Sequence, residues 1–224
     1  MSKIKISVFL KAVVLAILYY GAVYSIDLSC GARLGLNVSA ILGDTVKITN
    51  PRIGLNICGW ANQWINAKFG LQEEVNFSFK GESWKDPENI DFHIYNIYPM
   101  HFTYLEIPIL AKWRFYDNER INTSLYGGPN LSFPIVAEGV YMAGNTIDLL
   151  SAINPVDFGI TAGLCLALNY DKAVIPVDIR YTFGLINFLN KETRSSYDLR
   201  LTHSVFSISA GLGWKIDLKK KKEF

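Results

Sequence analysis

The dominant pattern of the chain is an alternation of apolar and polar residues, in stretches separated by Gly, Asn, Asp and Pro clusters. The clearest stretch is FSISAGLGWKI, residues 206–216, where every second residue is apolar and the others are Ser, Gly or Lys. Successive side chains of a β-strand point to opposite faces, so each stretch predicts a strand with one apolar face. No long segment after residue 25 has helical periodicity, and we therefore predict an all-β chain.

Eight stretches carry this alternation. They cover residues 30–39, 52–61, 69–80, 104–115, 123–135, 156–168, 175–186 and 205–216. Most exceed the five or six residues typical of soluble strands and reach the roughly 9 to 11 that a tilted strand needs to cross a bilayer. Long and short connections alternate along the chain, as in membrane barrels with long outer loops and short periplasmic turns. The pattern predicts an eight-stranded antiparallel up-and-down transmembrane β-barrel.

The polar faces of the predicted strands carry charges of both signs. In YLEIPILAKWRF, residues 104–115, Glu106, Lys112 and Arg114 alternate with apolar residues. A soluble barrel would turn such charges to water, whereas a membrane barrel encloses them and turns the apolar face to lipid. The predicted lumen charge network consists of Arg33, Glu74, Glu106, Lys112, Arg114, Asp157, Asp178, Arg180 and Lys215. Since eight strands enclose a space just wide enough for side chains, we expect ion pairs that fill the lumen.

Two features do not fit a regular membrane strand. Glu73 falls on the lipid-facing side, where a carboxylate costs up to a few kcal/mol near the midplane. Four prolines lie inside predicted strands, where they remove ladder donors and predict bulges or unpaired positions. They are Pro108, Pro129, Pro134 and Pro176.

The N-terminal residues predict export. Lys3 and Lys5 precede an apolar run from Ala12 to Tyr20, and small residues follow it, as in a secretory signal peptide. Lys11 leaves that run shorter than the roughly 20 residues of a membrane-spanning helix. We divide the chain into a signal peptide (1–25), an outer-membrane β-barrel (26–218) and a basic C-terminal tail (219–224). The net charge of +2 indicates no nucleic-acid partner.

Candidate chemistry is sparse. The three cysteines are an odd, widely spaced set that indicates neither a disulfide framework nor a metal site, and we read them as small apolar filler. His203 beside Ser204 suggests a base and a nucleophile, but adjacent residues of a strand point to opposite faces. Carboxylates gathered in the lumen leave an acid/base site as a weaker alternative. We predict no enzyme, no catalytic residues, no cofactor and no metal.

Several segments in order, GARLGLNVS, GLQEEVNFSFKG, YLEIPILAKWRF, LYGGPNLSF, DFGITAGLCLAL and VDIRYTFGL, give the chain a family likeness. The chain resembles the PorT-like outer-membrane β-barrel domain family, most specifically at residues 104–108 with Lys112 and Phe115. The resemblance implies an eight-stranded, OmpA/OmpX-like barrel in a Gram-negative outer membrane and carries over no catalytic residues. Its namesake hints at a role in protein export.

The expected function is that of a non-enzymatic barrel of the cell outer membrane, with a structural, adhesive or secretion-accessory role. Its partners are outer-membrane lipid and possible envelope or extracellular proteins that bind loops 81–103 and 136–155. Aromatic residues of the first loop fit a partner site or, equally, the membrane girdle or a cap on the barrel mouth. The candidate residues are Trp84, Phe92, Tyr95 and Tyr98. Two alternatives stay open: a secreted lipocalin-like barrel with an apolar pocket, and a lipid-modifying outer-membrane enzyme.

Overall fold

The computed structural model describes residues 27–43, 51–83, 97–141, 145–193 and 200–216. The predicted signal peptide, the basic tail and the loop residues Trp84, Phe92 and Tyr95 lie outside the described residues. Of Tyr98 the backbone alone is described. The signal peptide and the tail therefore stay predictions.

The described residues form strands that match the alternating stretches. The strands are β1 (Asp27–Gly43), β2 (Arg52–Trp64), β3 (Phe69–Gly81), β4 (Ile97–Asp117), β5 (Ile121–Tyr141), β6 (Thr146–Asp148), β7 (Asp157–Tyr170), β8 (Ala173–Gly184) and β9 (Leu201–Ile216). All eight predicted strands are present. The largest differences are at the outer ends of β4 and β5, which extend beyond the predicted 104–115 and 123–135, and β8 ends at Gly184, before the predicted residue 186. β6 was not predicted, because three residues are too few to show a period of two.

The sheet closes into a barrel. Neighbouring strands pair in the order β4-β3-β2-β1-β9-β8-β7-β5, and β4 also pairs with β5, which joins the two ends. All of these pairings are antiparallel, and β6 adds to the outer part of β5 at residues 138–140. A closed eight-stranded antiparallel barrel has no free edge, so its backbone polar groups are paired within the wall.

The two faces of the wall differ as the alternation predicts. On β1, Leu34 is 66% exposed while the neighbouring Arg33 is 2% exposed. The outward positions of the other barrel strands are also large and apolar, for example Ile53, Phe77, Leu125, Ile160 and Ile208. The lipocalin-like alternative is therefore wrong, because it requires the apolar face to line the interior.

The two ends of the barrel are distinct. The connections at residues 65–68, 118–120 and 171–172 are short and lie at the same end as the start of β1 and the end of β9. The connections at the opposite end are long, as predicted for the outside of the cell. Exposed aromatic side chains, including Trp113, Tyr170 and Trp214, lie near the short turns, where an aromatic girdle is expected. Within the described residues, no helix has the length and hydropathy needed to cross a membrane.

Proline interrupts the pairing as predicted. The paired residues of β3 and β4 stop at Glu73 and Ile109 and resume at Asn76 and Glu106, which leaves Pro108 unpaired on that side. Similar gaps occur beside Pro129 between β4 and β5 and beside Pro176 between β8 and β9. Next to Pro134 the register shifts by a residue.

This shift is a bulge at Ile135. Ile135 and the following Val136 are both exposed, at 45% and 36%. Beyond the bulge the opposite parity faces inward, and Ala137 is 1% exposed. A bulge inserts one residue into a strand, which exchanges the faces of all residues that follow it. The sequence pattern alone ended the predicted strand at this position.

The barrel lumen as candidate functional site

A layer of ion pairs occupies the middle of the lumen. Each contributing side chain lies on the face of its strand that carries small or polar residues and points into the lumen. Arg33, for example, lies on the same face of β1 as Gly31 and Gly35. Arg33 on β1 contacts Glu74 on β3 at 2.5 Å and Asp178 on β8 at 3.1 Å. Arg180 contacts Glu74 through Nη1 at 2.7 Å and Asp178 through Nε at 2.8 Å. Two acids and two bases therefore neutralise one another in a buried layer.

The layer crosses the whole barrel. In the ring of eight strands, β3 and β8 are diametrically opposite. The two hydrogen bonds from Arg180 to Glu74, at 2.7 and 3.0 Å, therefore span the lumen. Tyr126 on β5 donates a hydrogen bond from its hydroxyl to Asp178 at 2.8 Å. The Arg180 guanidinium lies over the Tyr126 ring, 5.4 Å from the ring centre. We call Arg33, Glu74, Tyr126, Asp178 and Arg180 the middle layer.

A second group of charges lies on the outer side of the middle layer. Lys80 donates to Glu106 at 2.6 Å, and Asn76 donates to the other oxygen of the same carboxylate at 2.9 Å. The Lys80 ammonium also lies 4.1 Å from the centre of the Tyr104 ring. Asp157 is buried nearby and accepts the backbone N–H of Phe158 at 2.8 Å.

The outer mouth is closed by an apolar cap. Ile153, Phe188 and Leu189, from two long connections, are each no more than 5% exposed and pack inside the end of the barrel. Backbone hydrogen bonds tie the two connections together, including Asn154 N–H to the Phe188 carbonyl at 2.7 Å. We call these three residues, with the wall side chains they contact, the external cap. The wall side chains are Ile41, Met100, Phe102, Tyr104, Ala137 and Leu201.

His203 lies at the base of the external cap. Its ring stacks on Phe188 with centroids 4.5 Å apart, and its Nε2 is 3.1 Å from the Tyr104 hydroxyl. Phe102 meets the same ring edge-on at 5.2 Å. His203 shares the inward parity of β9, but no pattern in the sequence indicates its partners, because Phe188 comes from a connection without periodicity.

The periplasmic end of the lumen contains a cavity of about 220 Å³, which we call the vestibule. Lys112 on its wall is 6% exposed and donates to the neutral Gln72 side chain at 2.8 Å. The Arg114 guanidinium lies over the Trp64 ring at 3.8 Å and contacts Asp117 at the rim at 2.7 Å. Lys215 also lines the vestibule.

The nine residues predicted for the lumen network therefore divide into groups. The middle layer holds Arg33, Glu74, Asp178 and Arg180; the outer group holds Glu106 and Asp157; and the vestibule holds Lys112, Arg114 and Lys215. Within the described residues Lys112, Arg114 and Lys215 form no ion pair with the four acids of the network. Sequence reasoning missed Lys80, Gln72, Tyr104 and Tyr126, although each shares the inward parity of its strand.

The geometry does not assemble the catalytic arrangements that the sequence left open. Ser204 lies on the opposite face from His203 and is 2.6 Å from the Tyr181 hydroxyl. Ser207, which shares the parity of His203, donates to Asn37 at 2.7 Å. The carboxylates of Glu74 and Asp178 are each held by arginines instead of by one another. No cluster of metal-binding side chains occurs within the described ranges.

Cys58 differs from the expected apolar filler. Its sulfur is 3.5 Å from the Arg33 guanidinium and 3.4 Å from Glu74, so it borders the middle layer. Cys165 is buried against Leu110 and Tyr126, as filler would be. All three cysteines are free.

Glu73 lies on the outer face of the wall, as the alternation predicts. Its carboxylate accepts a hydrogen bond from the Gln63 amide at 3.3 Å, and Gln63 is 3% exposed. Glu73 directly precedes Glu74 of the middle layer in β3, so its carboxylate lies at about the height of the middle layer, on the lipid side of the wall. The neighbouring donor lowers the cost of a carboxylate at the lipid face.

The two proposed partner loops are shorter than predicted. Residues 97–103 of the first belong to β4, where Met100 and Phe102 point inward to the external cap. Residues 136–141 of the second belong to β5, and residues 146–148 form β6. Phe102 packs in the external cap, and the partner role of the loops stays a prediction.

The closed barrel, its lipid-facing exterior and its charged interior define an outer-membrane β-barrel protein. Residues 23–190 match the family described as outer membrane protein beta-barrel domain, and the chain belongs to this family. The finer assignment to the PorT-like family is not part of that match.

Solved structures agree with the fold. The chain is similar to the outer membrane protein OprG from Pseudomonas aeruginosa, with 12% identity and a TM-score of 0.51 over 85% of this chain and 95% of that one. It is also similar to Ail, the attachment invasion locus protein of Yersinia pestis, with 14% identity and a TM-score of 0.46 over 84% and 100% of the two chains. No curated protein matched the sequence. Membership of the outer membrane protein beta-barrel family places the protein in the outer membrane.

Proposed function

We propose that the protein is a non-conducting, non-enzymatic outer-membrane barrel that presents its long external connections to another envelope or extracellular protein. The observation that carries the proposal is the pair of hydrogen bonds from Arg180 to Glu74 across the lumen. A solute would have to separate buried, charge-assisted pairs in a low-dielectric interior, which costs several kcal/mol.

The external cap supports the same proposal. It places a second, apolar barrier outside the middle layer, with Phe188 at 2% exposure. Because the middle layer and the external cap both close the lumen, other molecules can reach only the two ends of the barrel and its lipid face. Recognition by loops on a rigid scaffold is then the role that the geometry favours, with an adhesive or structural outcome. The resemblance to the PorT-like family supports a secretion-accessory form of the same role.

Planar-bilayer recordings test the closed lumen. We expect the purified protein to add no stable current to that of the lipid alone. A reproducible single-channel conductance would contradict the proposal.

Photo-crosslinking in intact cells tests recognition at the outer end. A crosslinker replaces Leu150, which is 37% exposed on a long external connection, and the matched control carries it at Asn66 in a short periplasmic turn. We expect a discrete adduct with one protein from position 150 and a different pattern, or none, from position 66. Identical patterns from both positions would contradict an external recognition role.

The lipid-modifying alternative has its own test. The His203→Ala variant should leave the lipid composition of the outer membrane unchanged, because His203 is enclosed by Tyr104 and Phe188 and away from the lipid face. A change in lipid acylation in this variant would favour the enzyme.

A further inference from the structure

We propose that the vestibule is a binding site for a small oxyanion, a carboxylate or a phosphate, that enters from the periplasm. The proposal is independent of the external recognition role. It concerns the opposite end of the barrel and, apart from Arg33 of the middle layer, residues that the closed lumen does not need.

The first observation is a buried positive charge without an ion-pair partner in the described residues. In the middle layer two acids and two bases are paired. In the vestibule, Lys112 is 6% exposed, and its hydrogen-bond acceptor is the amide oxygen of Gln72. The Gln72 amide in turn donates to Glu74, so its orientation is fixed. A buried ammonium is stable when an anion neutralises it, and Lys112 has no carboxylate at ion-pair distance within the described residues.

The second observation is a set of buried polar atoms without protein partners. Trp60 and Asn62 line the vestibule at 6% and 4% exposure, and neither the Trp60 indole N–H nor the Asn62 side-chain oxygen has a hydrogen-bond partner in the described structure. The same holds for Nε of Arg33, which lines the inner end of the vestibule. Buried polar groups are nearly always satisfied, so three such groups on the lining of one cavity indicate a polar occupant.

The third observation is that the Trp60 ring is held in place. Gly31 and Gly213 are direct cross-strand partners on β1 and β9. A Cβ atom on either glycine would collide with the Trp60 indole. The two glycines therefore make room for the ring and fix the direction of its N–H, which is the preorganisation that a binding site requires.

The arrangement defines the class of ligand. Lys112, the Trp60 N–H and Arg33 Nε are donors, and Lys112 adds a positive charge that no carboxylate of the described residues pairs, so the deep wall favours an oxyanion. The Asn62 side-chain oxygen is an acceptor and suits a hydroxyl group on such a ligand. The acidic residues of the lining, Asp27, Asp117 and Glu119, lie toward the rim. The volume of about 220 Å³ is below the roughly 300–1,000 Å³ of pockets for drug-sized ligands, which limits the occupant to a small molecule.

NMR of the protein with ¹⁵N-labelled tryptophan in lipid nanodiscs tests the proposal. Succinate and inorganic phosphate are the probes, and Trp60→Phe assigns the Trp60 indole resonance. We expect one or both anions to shift that resonance downfield, and we expect the shift to reach a plateau as the anion concentration rises. The resonance of the lipid-facing Trp214 should stay in place. Saturation by succinate alone or by phosphate alone identifies the source of the oxyanion.

Variants connect binding to the site. Lys112→Met should lower the affinity for the anion by about tenfold or more, since a charge-assisted hydrogen bond is lost. Lys68→Gln removes a charge from the exposed turn at the same end and should leave binding unchanged. If Lys112→Met does not fold, Trp60→Phe should weaken binding measured by calorimetry, with Trp214→Phe as its control.

Two results would overturn the proposal. The first is that neither anion shifts the Trp60 resonance saturably, even when the anion concentration equals that of the buffer salt. Alternatively, the Trp60 resonance would respond equally in the wild type and in Lys112→Met, or the affinity for the anion, measured by calorimetry, would be the same in the wild type and in Trp60→Phe. Either result means that the vestibule holds water and that the anions act by screening alone.

Discussion

In the middle of the barrel, the Glu74 carboxylate is enclosed by two guanidinium groups, whereas at the outer end Phe188 is enclosed by Phe102 and His203. The middle layer is built from wall residues of β1, β3, β5 and β8, which the barrel holds at fixed positions. The external cap depends on two connections that are tied mainly to one another.

The difference teaches how each closure can fail. A member of the middle layer cannot leave without exposing charges in a low-dielectric interior, and it cannot move without moving a strand. The external cap can separate from the mouth while the wall stays closed, because its segments contribute few contacts to the wall ladder. We therefore expect the middle layer to set the global stability and the external cap to set a local opening free energy.

The largest effect is expected from Glu74→Gln. The substitution leaves Arg33 and Arg180 with Asp178 as their remaining acid partner in the middle layer, and we expect a loss of about 3–5 kcal/mol in the free energy of unfolding. Urea unfolding in lipid vesicles, followed by tryptophan fluorescence, measures the loss. Glu73→Gln is the matched control, since the neighbouring carboxylate faces lipid and should be removed without loss of stability. Equal effects of the two substitutions would contradict the role of the middle layer.

A smaller effect is expected from Gly163→Ala. A Cβ at this position would collide with the Tyr126 hydroxyl, which donates to Asp178. The ring must shift away from the middle layer, and we expect a loss of about 1–3 kcal/mol by the same unfolding measurement.

Gly59→Ala provides the control for this substitution. Gly59 is exposed on the outer face, and a Cβ there has no neighbour within 4 Å in the described structure. Its stability should stay at or above that of the wild type. A larger loss in Gly59→Ala than in Gly163→Ala would show that backbone conformation, not contact with Tyr126, decides the outcome.

The smallest change in global stability is expected from Phe188→Ala, which acts on the external cap. The Phe188 amide donates to the Leu201 carbonyl at 3.0 Å, and loss of the ring should let this bond open without unfolding the wall. We expect at least tenfold faster hydrogen exchange at this amide, or about 1.4 kcal/mol of local opening free energy.

The contrast with the wall supplies the control. Phe206→Ala removes a ring from the lipid face of β9, 45% exposed, and should leave the exchange of the Phe188 amide unchanged. Slowed or unchanged exchange in Phe188→Ala would mean that the hydrogen bonds of the two connections hold the external cap without the aromatic ring.

The sequence alone determined the eight barrel strands as far as the bulge in β5, their inward and outward faces, and the membrane location. This was possible because lipid and an enclosed lumen impose a period of two on every strand, and a period is a local property of a sequence. The inward assignment of Arg33, Glu74 and Asp178 followed from the same parity. The effect of the prolines was also predictable, since a missing N–H is a property of the residue itself.

The tertiary structure alone decided which charges meet. Parity states that a side chain enters the lumen but gives neither its height nor its partner, because both depend on the stagger between strands distant in sequence. For this reason Arg180 pairs with Glu74 across the barrel, while Lys112, with the same parity on its own strand as Glu106, lies apart in the vestibule. The external cap could not be predicted from the sequence either, since Phe188 and Ile153 lie in connections that have no periodic pattern.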